Sequence, residues 1–117
     1  MNELEIDCIQ RARPGAAHHQ ITYLGHRGFA CRIAVELAIV HIRGDLNAFF
    51  TLDPGTGQRV YIAVRREPGR CPYLQARLGE AWTDHLLALP ECRPSYRVIR
   101  DGVGLRPHEA VRFHSPR

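Results

Sequence analysis

Few residues in this chain are of a type and spacing that could do chemistry. Asp84 and His85 adjoin in the run Trp82-Thr83-Asp84-His85, and a carboxylate beside an imidazole is the raw material of general acid/base catalysis. Neighbours in sequence seldom face each other, however, and no nucleophile is paired with them. The two read as a helix cap, from Thr83 or Asp84, followed by a part-exposed histidine. No residue is assigned a catalytic role, and an enzyme is not expected. His18, His19 and His26 flank one β-type run and read as solvated loop residues, because a metal there would need further ligands. Cys8, Cys31, Cys71 and Cys92 show neither a CxxC pair nor Cys/His metal spacing. They are expected as four reduced thiols, most of them packed as small hydrophobes, with a zinc site from Cys71, Cys92 and a histidine set aside. Gly55-x-Gly57 lies between two β-type runs, whereas a phosphate loop leads from a strand into a helix. No metal or cofactor is expected.

The cationic side chains offer a different chemistry. All sixteen basic residues are arginines, whose planar guanidinium groups suit bidentate phosphate and carboxylate contacts. Residues 1–92 hold ten arginines against ten Asp and Glu, so the formal charge of +4 resides in residues 93–117. There Arg93, Arg97, Arg100, Arg106 and Arg112 are candidate contacts for an anionic partner. A second candidate surface is Tyr61, Arg65, Tyr73, Gln75 and Arg77, because rings stack on bases and arginines reach phosphates.

The elements that must position these residues centre on Phe49–Pro90. Ala48–Leu52 leads into the turn Asp53-Pro54-Gly55-Thr56-Gly57, and Arg59–Arg66 and Pro72–Leu78 then alternate across Pro68-Gly69. If Val60, Ile62, Val64, Leu74, Ala76 and Leu78 face the core, the Tyr/Arg set shares the opposite face. Upstream, Glu3–Gln10 alternates as one strand, Arg13-Pro14-Gly15 breaks the run, and Gln20–Leu24 forms a second strand, the pair making a hairpin. After Gly28 a helix is expected over Cys31–Arg43, apolar on most of its circumference apart from Arg32, Glu36 and Arg43, with Gly44 as its C′ glycine. In Glu80–Pro90, Leu86, Leu87 and Leu89 plug one end of the core beside Trp82, and Pro90 stops the turn. The fold class is therefore α+β, a small mostly antiparallel sheet of four to five strands on one helix in ββαβββ order. It forms a single domain over residues 1–92, followed by an Arg-rich tail, 93–117, in which Tyr96–Ile99 reads as a weak strand.

The residues Gly69, Tyr73-Leu74, Trp82, Asp84, Leu86-Leu87-x-Leu89-Pro90 and Cys92 resemble the closing motif of a small bacterial family of unknown function, DUF3892, over about Gln20–Cys92. Members have a strand, a helix and three strands ending in this signature, and some come from phage-derived genomes. This chain has Gln75-Ala76 where the family carries Arg-Thr, and His85 where it carries asparagine. The resemblance implies a shared fold and no activity.

No run reaches the roughly 18 apolar residues of a membrane span, and MNELEIDCIQ is acidic where a secretory leader would be basic and then apolar. A cytoplasmic protein without membrane contact is expected. Its functional expectation is a non-catalytic binding or adaptor module, meeting a protein partner or a second copy of itself through the apolar helix. Nucleic acid bound by the Tyr/Arg face and the tail is the alternative.

Overall fold

Alternation in the first ten residues feeds two sheets rather than one. In a computed structural model, which describes residues 2–100, Asn2–Glu5 (β1) pairs parallel with Asn47–Leu52 (β5), while Cys8–Arg11 (β2) pairs antiparallel with Ile21–His26 (β3). The chain crosses between the sheets at Ile6 and Asp7, whose N–H groups donate to the carbonyls of Phe50 (2.7 Å) and Gly25 (3.0 Å). Glu3–Gln10, expected as one strand, is thus two. Leu4, Ile6 and Cys8 are all buried as the alternation requires, but Glu5 and Ile9 are buried too, so a strict period of two is not kept across the crossing.

The expected helix over Cys31–Arg43 is also divided. Cys31–Ala34 is a strand (β4), antiparallel to β3, and only Val35–Arg43 is helical (α1). Cys31 and Ile33 are buried while Arg32 and Ala34 are half-buried, a two-residue period that a short apolar run shares with a helix seen from sequence. Gly44 does not take the left-handed conformation expected of a C′ glycine. Its φ is −89°, and the positive φ of 55° falls on Asp45, where Leu46 N–H closes the helix end onto the His41 carbonyl at 2.9 Å.

From β5 the chain runs through the Asp53–Gly57 turn into Arg59–Arg65 (β6), then Tyr73–Leu78 (β7) and Ala81–Thr83 (β8), each antiparallel to the one before. The first sheet has the order β1-β5-β6-β7-β8. The turn forms as its composition requires: Asp53 Oδ2 accepts from the N–H groups of Gly55 and Thr56 (3.1 and 3.0 Å), and Gly57 takes a φ of 72°. Leu86–Ala88 follows as a single 3-10 turn, and Leu86 is fully buried. Arg97–Ile99 (β9) then pairs parallel with β4, completing a second sheet of order β2-β3-β4-β9. Among the described residues, regular structure therefore continues past Cys92 and includes Arg97–Ile99.

The fold is α+β, with two mixed sheets of five and four strands and one helix among the described residues, where a single sheet was expected. One core joins them: Leu4, Phe49, Val60, Ile62 and Leu74 from the first sheet, Ile9, Leu24, Ile33 and Ile99 from the second, and Val35, Ala38 and Ile39 from α1. Among the described residues no helix is long and apolar enough to cross a membrane.

Candidate functional site

The register of the first sheet does place the Tyr/Arg set on one face. Tyr61 stands opposite Arg77, Ala63 opposite Gln75, Arg65 opposite Tyr73, and Arg77 opposite Trp82, while Val60, Ile62, Leu74 and Ala76 are buried on the other side. Much of that face is closed. Tyr73 and Gln75 are buried, with the Tyr73 hydroxyl donating to Glu67 and the Gln75 amide donating to the Thr83 carbonyl at 3.1 Å. Burial, then the bond to Glu67, pushes the Tyr73 phenol above its ordinary range. Arg65 donates to Gln75 at 2.7 Å and lies 3.9 Å from Glu67. Arg59 and Tyr61 both donate to Glu3. The guanidinium carbons of Arg65 and Arg77 lie 5.2 and 5.1 Å from the centre of the Trp82 ring. Within the predicted face, Arg77 alone has no ion pair or hydrogen bond to another described residue.

Helix α1 presents a different surface. Ala38, Ile39 and His41 are buried, and His41 Nδ1 is 2.9 Å from the Asn47 amide nitrogen. Glu36, Val40 and Arg43 are exposed at spacings of four and seven residues, which aligns them along one edge of the helix. Val40 leaves 53% of its surface in solvent. Beneath this line is an open groove of about 340 Å³ between α1 and the Cys71-Pro72 segment, lined by Val35, Ile39, Val40 and Pro72 with Cys71 in its wall. Glu36 and Arg43 also border it, and neither forms an ion pair with another described residue. Arg32, expected on the polar strip of this helix, lies in β4 instead.

The histidines do not form the arrangement that sequence adjacency offers. Asp84 is 83% exposed at its side chain and lies 3.9 Å from His18, not against His85. His85 places Nε2 at 2.7 Å from Asp53 Oδ1 and Nδ1 at 2.7 Å from Thr83 Oγ1. Hydrogen bonds from His85 and then from Thr56 hold the Asp53 carboxyl below its ordinary range. As an ionised carboxylate Asp53 accepts only, so in the neutral imidazole the proton is on Nε2, and bare Nδ1 accepts from the Thr83 hydroxyl. Asp84 and Thr83 make no side-chain cap on the Leu86–Ala88 turn. His18 is buried, and desolvation lowers its pKa. His19 meets Tyr73 edge-on, and His26 stacks on Phe29 4.0 Å from Glu5. Among the described residues no three His, Cys, Asp or Glu side chains converge to hold a metal ion.

The cysteine expectation is corrected. Cys8 and Cys92 form a disulfide across 84 residues of sequence, with a Cα–Cα distance of 5.0 Å, leaving Cys31 buried and Cys71 exposed. The bond lies on Gly25 of β3, where a Cβ would stand 2.6 Å from Cys92 Sγ and 2.9 Å from Cys8 Sγ. Beyond it Arg32 binds the following segment, donating to the carbonyls of Pro94 (2.8 Å) and Tyr96 (3.1 Å) and to Gln10 (2.8 Å) while lying over the Tyr23 ring. Arg93, Arg97 and Arg100 are exposed; Arg106 and Arg112 lie outside the described residues.

Neither a family model, nor a curated protein, nor a solved structure matches this chain. Two arrangements went unseen in the sequence. The Asp53–His85–Thr83 contact joins a hairpin turn to a segment some thirty residues later, and only its Thr-x-His half was local. The disulfide had no spacing motif to announce it.

Proposed function

We propose that this chain is a non-catalytic protein-contact module that pairs with a second copy of itself through α1. The observation that carries the reading is the line Glu36–Val40–Arg43 over the apolar groove. The two opposite charges are about 10 Å apart along the helix. In a two-fold, antiparallel helix pairing, Glu36 of each copy meets Arg43 of the other, and each Val40 enters the facing groove. Charge complementarity is thus built into one surface, which favours self-association over a foreign partner. The groove is small beside the ~800 Å² per partner of a standard interface, so the affinity expected is in the micromolar range.

Sedimentation equilibrium tests this. The weight-average mass should rise with concentration, Glu36→Arg should hold the chain monomeric, and Glu36→Arg combined with Arg43→Glu should restore association. A mass that stays monomeric at every concentration, or a double variant no better than the single, would sink the reading.

Nucleic-acid binding by the Tyr/Arg face has less support, since Arg59 and Arg65 are occupied by Glu3 and Glu67 and Tyr73 is buried. Membership of DUF3892 belongs to the same proposal. It rests on Trp82, Asp84, Leu86, Leu87, Leu89 and Pro90 and brings no activity with it. The disulfide favours an oxidising environment over the cytoplasm expected from the sequence.

A further inference from the structure

We propose that Thr83 is an activated hydroxyl that accepts an acyl group from activated carboxylic esters, with His85 as its general base and Asp53 as the residue that orients the base. This is independent of self-association through α1 and involves no residue of that surface.

An alkyl hydroxyl is a poor nucleophile until a base takes its proton, and the base is effective when a third group fixes its tautomer and direction. All three parts are present, linked by two contacts of 2.7 Å. Asp53 is itself immobilised, because its second oxygen accepts from Gly55 N–H, Thr56 N–H and the Thr56 hydroxyl. Only Oδ1 is left for the imidazole. The Thr83 hydroxyl has another acceptor, the Ala76 carbonyl, but at 3.4 Å, so His85 is the better placed of the two. Thr83, the last residue of the edge strand β8, and His85, two residues beyond that strand, are both part-exposed.

In the acylation step Thr83 Oγ1 forms a bond to the ester carbonyl carbon as its proton moves to His85 Nδ1. The bond from that carbon to the leaving oxygen then breaks, and the leaving oxygen takes the proton from Nδ1. The products are Thr83 acyl ester and free alcohol or phenol, with no change of oxidation state.

The composition makes the test unusually clean. The chain has no lysine, so amine acylation is confined to the N-terminus, and the exposed thiol of Cys71 is removed by Cys71→Ser. The full-length Cys71→Ser chain is incubated with para-nitrophenyl acetate, its intact mass is followed, and the label is mapped after cleavage at arginine. One acetyl group is expected on Thr83, stable at acidic pH as an ester is and an acyl-imidazole is not. Thr83→Val should abolish the label and Thr83→Ser should keep it. His85→Gln should slow acetylation by about a hundredfold, the usual worth of a general base. Folding of each variant is checked by circular dichroism. Should Thr83→Val fail to fold, mapping on the parent chain still decides. The proposal is overturned by absence of label on Thr83, by label found only at His85, a tyrosine or the N-terminus, or by a rate unaffected in a folded His85→Gln variant.

Discussion

A buried histidine ties the stability of this fold to pH. Desolvation lowers the His18 pKa below its ordinary 6.5, against a smaller opposing pull from Asp84. A group with a depressed folded-state pKa binds its proton more readily in the unfolded chain, so its contribution is complete above pH 6.5 and is lost as the pH falls through the folded value. Thermal unfolding between pH 7 and 5 should therefore show falling stability, and His18→Gln should flatten that slope. Asp53 follows the same sign lower down, its contribution disappearing as the pH drops below the ordinary 3.8. Two backbone positions set expectations of their own. Gly25→Ala forces a methyl group into the space of two sulfurs and the Cys31 carbonyl, and chemical denaturation should register a loss of about 2 to 3 kcal/mol. Asp45→Gly relieves the positive φ at the end of α1 and should raise stability by about 0.5 to 1 kcal/mol. Neither position stood out in the sequence, since what decides them is a backbone angle and a neighbour brought in from Cys92.

At the scale of elements, the sequence was most legible where alternation and turn chemistry agreed. The Asp53–Gly57 hairpin, the strands on either side of Pro68-Gly69, and the shared face of Tyr61, Arg65, Tyr73, Gln75 and Arg77 were all readable from period and punctuation. What the alternation did not disclose is that Glu67, Glu3 and Thr83 would occupy that face from within. It failed too at Cys31–Ala34, where four residues satisfy both a strand and a helix, and at Glu3–Gln10, where one pattern serves two sheets. Arg32 shows what the misplaced boundary hid. On a helix it is a solvated charge, whereas in β4 it holds the Pro94–Tyr96 segment by two donated hydrogen bonds and ties it to Gln10 of β2 by a third. Arg32→Ala should increase amide hydrogen exchange selectively over Arg97–Ile99, with β5 and β6 unaffected. Equal acceleration in β6 would show that the contact supports the whole core and not this segment.

For the whole molecule, the dominant constraint is the disulfide between Cys8 and Cys92. Chain-entropy reasoning for a closed loop of this length gives about 4 to 5 kcal/mol, a large part of the total stability of a domain this size. The Cys8→Ser/Cys92→Ser double variant should accordingly unfold at much lower denaturant concentration, and a reductant should have little further effect on it. The bond also makes the polypeptide between its ends a covalent ring with two short overhangs among the described residues. A protease that nicks the ring once, at the Asp53–Gly57 turn or at Pro68-Gly69, opens it without dividing it. The nicked protein would keep its mass on a non-reducing gel and separate into two fragments only when reduced, so damage at an exposed loop need not release either half of the fold.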